Sequence, residues 1–212
     1  MSRVLPILFN TDMVRAILDG RKTVTRRCVK FLNGKNPNWT GYVKDGLMLY
    51  NRTNEPCIKP CQYQPGDILY VRETWYKGLN RILYKANYSE NEKFYENGKE
   101  IQIKWHPSIH MPKEAARIWL KVKNVRVERL KDMTDKDALM EGAQGVKCNH
   151  AGLGAYGCTD CMNTGWLEPP ILEFMGIWDS TIKKSDLDRY GWDANPWVWV
   201  IEFERCEKPE DW

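Results

Sequence analysis

The hydrophobic positions of this 212-residue chain change period several times, and the changes outline its elements. Pro6-Ile7-Leu8-Phe9 reads as a short strand. Asn10 or Thr11 can then cap a helix carrying Met13, Ile17 and Leu18 at helical spacing, with Gly20 just past its end. Residues 33–66 are rich in turn formers and predict loop around a hairpin near Leu47–Tyr50. Gln64-Pro65-Gly66-Asp67 signals a turn, and Ile68–Val71 after it is apolar enough for a central strand. Ile82–Tyr88 is a further strand candidate, followed by a charged hairpin tip over Ser89–Gly98. Ile118, Leu120 and Val122 alternate cleanly, but Val125 and Val127 take the opposite parity, so the phase slips at Asn124. A bulge or bend there would help to close a barrel.

Thr134-Asp135-Lys136-Asp137 opens a second helix with a capping-box pattern, Asp in place of Glu, that runs to about Glu141 and stops at Gly142. Six glycines within 142–165 make that stretch a loop in need of another source of order. Leu172–Ser180 predicts a short amphipathic helix, and Trp197–Phe203 a last strand entered through Asn195-Pro196. The expected fold is therefore α+β: one domain over 1–212, a small, strongly bent mixed β-barrel with short flanking helices and loop elaborations at about 33–60 and 142–170.

Composition narrows the setting. No run of about 18 apolar residues is present, and the N-terminus lacks the pattern of a signal peptide, which implies a cytoplasmic protein and no membrane partner. Seven cysteines in that compartment read as thiols or metal ligands, not as a disulfide framework. Net charge is only +4, yet residues 1–30 and 113–131 each hold seven basic side chains. Such polarity suits a polyanion partner.

Three separated pieces carry a resemblance. Gly20-x-Lys22-x-x-Thr25-x-Arg27 resembles the signature of ASCH domains, which have a PUA-like barrel fold. Pro65-Gly66-Asp67 leading to Val71-Arg72-Glu73-Thr74-Trp75 resembles the next block, and Trp197–Glu204 the closing strand. With Ile109-His110-Met111-Pro112, the chain is similar to a phage or prophage branch of that family. The resemblance implies RNA or a modified nucleoside as partner; Gly20, Arg26, Arg27, Tyr70, Trp75 and His110 are the candidate binding residues. One bacterial branch deacetylates N4-acetylcytidine, and its signature residues fall on Lys22, Thr25 and Glu73. Other branches are proposed to bind RNA or to cleave it.

The chemistry of these residues fits either use. Thr25 offers a hydroxyl nucleophile if a base takes its proton, and a desolvated Lys22 would have its neutral form available. Glu73 can orient Lys22 or hold a cytosine edge, while Arg26 and Arg27 can bind phosphate or steady an oxyanion. Trp75, Trp105 and Tyr70 can stack on a base, although core packing is the plainer reading of each. His106 and His110 lie in a Pro-punctuated segment and predict no metal role.

A second signal is Cys148-x-His150 followed by Cys158-Thr-Asp-Cys161, four zinc-type ligands within 14 residues of a glycine-rich loop. Zinc there would be structural, because four protein ligands leave no position for an activated water. Cys57 and Cys61 are not expected to be ligands, and Cys28 and Cys206 read as core or neutral surface thiols.

Overall fold

The computed structural model describes residues 2–32, 42–44, 48–50, 55–78, 81–96, 98–149, 158–161 and 164–210. Strands and short helices alternate along them. In chain order these are β1 (Val4–Leu8), α1 (Thr11–Leu18), β2 (Val24–Cys28), β3 (Tyr42–Lys44), β4 (Met48–Tyr50) and β5 (Ile68–Arg72). Next come β6 (Trp75–Lys77), β7 (Ile82–Tyr84), β8 (Phe94–Glu96), β9 (Lys99–Ile101) and β10 (Trp119–Arg129). The chain continues through α2 (Asp135–Met140), β11 (Val146–Lys147), β12 (Trp166–Glu168), α3 (Pro170–Thr181), α4 (Leu187–Tyr190) and β13 (Trp197–Cys206).

The fold is mixed α+β. Its main sheet has five strands in the order β1-β5-β10-β13-β2, and β3-β4, β6-β7, β8-β9 and β11-β12 form two-stranded ribbons. The first pair, β1 and β5, is parallel; β10 lies antiparallel to β5, and β13 antiparallel to β2. The sheet does not close into the expected barrel: among the described residues it is open, with β1 and β2 at its edges. The phase slip at Asn124 is real, since Lys123 and Asn124 are consecutively exposed, but β10 runs through it as one strand of 11 residues. No helix among the described residues is long and apolar enough to cross a membrane.

The chain divides into two compact units, residues 1–20, 63–124 and 203–212 in one and residues 21–62 and 125–202 in the other. In the first unit, Asn10 caps α1 by accepting the Met13 N–H at 2.9 Å, and the helix buries Val14, Ala16 and Ile17. Gly66 holds φ +90°, which a side chain would resist. The turn it makes is anchored by Asp67, buried to 4% exposure, which accepts Arg3 Nε at 2.9 Å and the Gln64 N–H at 2.7 Å. The strand expected over Ile82–Tyr88 ends at Tyr84, where Lys85–Asn87 coil into a 3-10 turn. Arg15 of α1 imposes that bend by donating to the carbonyls of Ala86 and Tyr88 at 3.1 and 2.6 Å.

The second unit packs α2 and α3 over one sheet face. Val24, Leu130, Ala138, Phe174, Trp178, Trp192, Val198 and Val200 form its core. Thr134 and Asp137 make the expected capping box of α2, and the helix over Leu172–Ser180 is present as the slightly longer α3.

Candidate functional site

Alternation along β2 sorts the signature segment onto two sides. Val24, Arg26 and Cys28 face one way, and Thr25 and Arg27 the other, because successive side chains of a strand point to opposite faces. The cross-strand register agrees: Arg26 lies beside Val200, and Thr25 and Arg27 beside Ile201 and Trp199. Just before β2, the chain is strapped to the end of α2. The Thr23 N–H donates to the Met140 carbonyl at 2.9 Å, and Arg21 Nη1 to the Gly142 carbonyl at 2.6 Å.

That strapping brings Lys22 onto Glu141. The ammonium, 2% exposed, donates to the Glu141 carbonyl at 2.8 Å and to its Oε2 at 2.5 Å. Arg26 reaches the same carboxylate through Nη1 at 3.2 Å, while its Nη2 meets Glu128 at 2.7 Å and Asp137 at 3.6 Å. Glu128 in turn accepts Arg126 Nε at 3.1 Å. Arg26 therefore faces carboxylates of its own chain, yet its Nε stays buried without a hydrogen-bond partner among the described residues.

Burial is the largest influence on Lys22 and lowers its pKa from the ordinary 10.5. The charge and hydrogen bond of Glu141 push it back up, and Arg27 and Arg26 add to the lowering. The structure thus joins Lys22 and Arg26 on Glu141. It sets Thr25, 1% exposed, on the face opposite Arg26.

Glu73 belongs to the first unit and has its own partner. Arg117 clasps it with Nε on Oε1 at 2.8 Å and Nη2 on Oε2 at 3.0 Å, and the guanidinium stacks 4.0 Å from the centre of the Tyr84 ring. Trp75 packs beside Met111 and Ala115, its Nε1 buried without a hydrogen-bond partner among the described residues. Tyr70 lies half-buried 6.2 Å from the Trp119 ring, and His110 is exposed at the end of a 3-10 turn. Gly20 ends α1 at φ +75°, with the Ile17 carbonyl accepting its N–H at 3.1 Å.

The cysteines of the glycine-rich stretch also come together. β11 and β12 pair as a short ribbon, and the Cys148 N–H donates to the Gly165 carbonyl at 3.0 Å, closing a loop over Cys158 and Cys161. The Sγ atoms of Cys148, Cys158 and Cys161 all lie within 4.8 Å of one another, and those of Cys148 and Cys158 are 3.7 Å apart. Three thiols at that separation could hold a metal ion. His150, the expected fourth ligand, lies outside the described residues. The Cys158 thiol falls to about 7, chiefly because the Cys161 N–H points at its sulfur, whereas desolvation and the neighbouring thiols push Cys148 up to about 12. At its base the loop is fixed by Glu173 of α3, whose Oε2 accepts the N–H groups of Gln144 and Gly145 at 2.7 and 3.0 Å.

Sequence reasoning missed Glu141, Glu128 and Arg117. A carboxylate at the end of a capped helix and an arginine before an alternating strand give no local sign of a partner 119 or 44 residues away. No protein-family model matches the chain, and no curated protein or solved structure matches it either.

Proposed function

We propose that this is a cytoplasmic, ASCH-like protein that binds RNA or a modified nucleobase through the Gly20–Arg27 segment. A structural zinc, held by Cys148, Cys158, Cys161 and His150, would order the neighbouring loop. The observation that carries the binding reading is the buried cluster around Glu141. Sequestering a lysine and an arginine beside three carboxylates costs desolvation that packing alone would avoid, and buried, perturbed charges concentrate at functional sites. The Arg26 Nε adds a buried donor without a hydrogen-bond partner among the described residues. The support for zinc is the donor set: soft thiolates from a Cys-x-x-Cys turn, with a third close by.

A second reading, an amidohydrolase acting on N4-acetylcytidine-like nucleosides or a ribonuclease, is favoured by the lowered pKa of Lys22. A neutral amine can take a proton, but the Thr25 hydroxyl, the expected nucleophile, lies on the face of β2 opposite Arg26.

Titration of the protein with short RNAs and with N4-acetylcytidine, alongside Lys22→Ala and Thr25→Ala, tests both. The binding reading expects saturable affinity that both substitutions weaken; affinity unchanged by either would sink it. Release of cytidine by the wild type alone would establish the hydrolase. Metal analysis should find about one zinc per chain, and intact thiols with no zinc would remove that part.

A further inference from the structure

A groove of about 380 Å³ opens beside the β8-β9 ribbon of the first unit, within the size range of small-ligand sites. It lies apart in sequence from both the Gly20–Arg27 segment and the cysteine loop. Phe94 and Trp105 line it, and behind them Tyr88 completes a cluster with ring centres 5.0 to 6.1 Å apart. The charges around these rings are Glu90, Glu92 and Glu100 against Lys85 and Lys93.

Carboxylates outnumber lysines here: Lys93 Nζ lies 3.1 Å from Glu100 Oε2 in an exposed pair, which leaves Glu90 and Glu92 against Lys85. Glu92 spends Oε2 on the Ser89 N–H at 3.1 Å. The other oxygens of Glu92 and Glu100 and the whole carboxylate of Glu90 have no partner among the described residues. What remains is an acidic rim around aromatic faces. A polyanion is repelled by the rim, and an uncharged ring would leave the carboxylates unused. An alkylammonium satisfies both features: its charge meets the carboxylates and the ring quadrupoles, and its methylenes cover the apolar ring surface.

We propose that this groove binds a linear polyamine, with Glu90, Glu92 and Glu100 taking its ammonium groups and Trp105 and Phe94 its methylene segments. Several cations on one slim chain suit carboxylates spread around a groove better than a single compact ion does.

Calorimetric titration of the full chain with spermidine, at roughly 0.1 M salt where exposed charges still act over about 10 Å, tests this. A single saturable site is expected. The double variant Glu90→Gln/Glu92→Gln, both at exposed positions, should weaken it about tenfold, and Trp105→Ala by a similar factor, while Trp105→Phe keeps most of the affinity. Thermal melts of each variant separate lost binding from lost folding. If Trp105→Ala does not fold, the glutamine pair decides alone. The proposal is overturned by an absence of spermidine binding up to millimolar concentration. It is equally overturned by affinity indifferent to the glutamine pair, by displacement with equimolar Mg²⁺, or by tighter binding of a lysine-rich peptide.

Discussion

Glu141 and Glu73 are both buried carboxylates, 7% and 1% exposed, but the cations that hold them differ in kind. Glu141 stands at the end of α2 and is shared by the ammonium of Lys22 and the guanidinium of Arg26. Glu73 is gripped on both oxygens by the single fork of Arg117, which also leans on Tyr84 and hydrogen-bonds Asn87 at 2.9 Å. A lysine is a point charge whose proton can leave when burial makes the charged form expensive; a guanidinium keeps its charge and fixes its partner's plane. In the Glu141 cluster burial favours the neutral form of Lys22. The Glu73 pair is held in one geometry by contacts on both carboxylate oxygens. A site that must move a proton would draw on the first, and one that must hold a shape on the second.

Removing the shared carboxylate should do the most damage. Glu141→Leu takes the carboxylate from buried Lys22 and one of three from Arg26, which keeps Glu128 and Asp137, and is expected to cost about 3–5 kcal/mol in urea unfolding. Glu141→Gln, which keeps an acceptor, should recover part of that. If the leucine variant loses less than a kilocalorie per mole, the cluster carries little of the second unit's stability and the contrast fails at its root. Arg117→Ala comes next, at about 2–3 kcal/mol, because Glu73 is almost wholly buried while Arg117 itself is one-quarter exposed and less costly to lose. Arg117→Lys should recover less than half of that loss, since an ammonium cannot span both oxygens. Full rescue by lysine would mean that the fork's geometry does not matter.

These pairings explain which features could be read from the chain. The Asn10 cap, the Thr134–Asp137 box and the start of the closing strand at Trp197 were legible, because each rests on neighbours within a few residues. The thiol loop was legible for the same reason: Cys148, Cys158 and Cys161 sit close in sequence. Glu141 could be placed at a helix end, but nothing near it says that Lys22, 119 residues earlier, will be its partner. Likewise the end of β7 at Tyr84 is decided by Arg15 on a distant helix, which overrides the strand propensity of the residues that follow. The phase slip at Asn124 was visible, but its consequence was not. Whether a slip bends a sheet shut or is absorbed within one long strand depends on what the edge strands meet.

The protonation contrast can be tested directly. Lys22 has a folded pKa below 10.5, so between that folded value and 10.5 the unfolded chain holds a proton that the folded chain has released. Stability attributable to Lys22 must then rise with pH across that window, by at most about 1.4 kcal/mol per pH unit for one proton. The difference in unfolding free energy between the wild type and Lys22→Met, followed from neutral to alkaline pH, should grow more favourable to the wild type. A flat Lys22 profile would mean that burial does not favour its neutral form, and the contrast in protonation would be lost.

The smallest effect belongs to Asp137, at the rim of the Glu141 cluster with its side chain about one-quarter exposed. Burial alone would raise its pKa, but hydrogen bonds from Thr134 and the charges of Arg26 and Arg126 outweigh it and hold the carboxyl below the ordinary 3.8. Its contribution is present above 3.8 and is lost as pH falls through the lower folded value. Asp137→Asn should therefore cost about 1 kcal/mol near neutrality, the ordinary worth of a capping interaction, and progressively less in acid. A loss matching that of Glu141→Leu would move the centre of the cluster from Glu141 to Asp137. In that case the capping box, and not the buried lysine, would distinguish this site from the Arg117 fork.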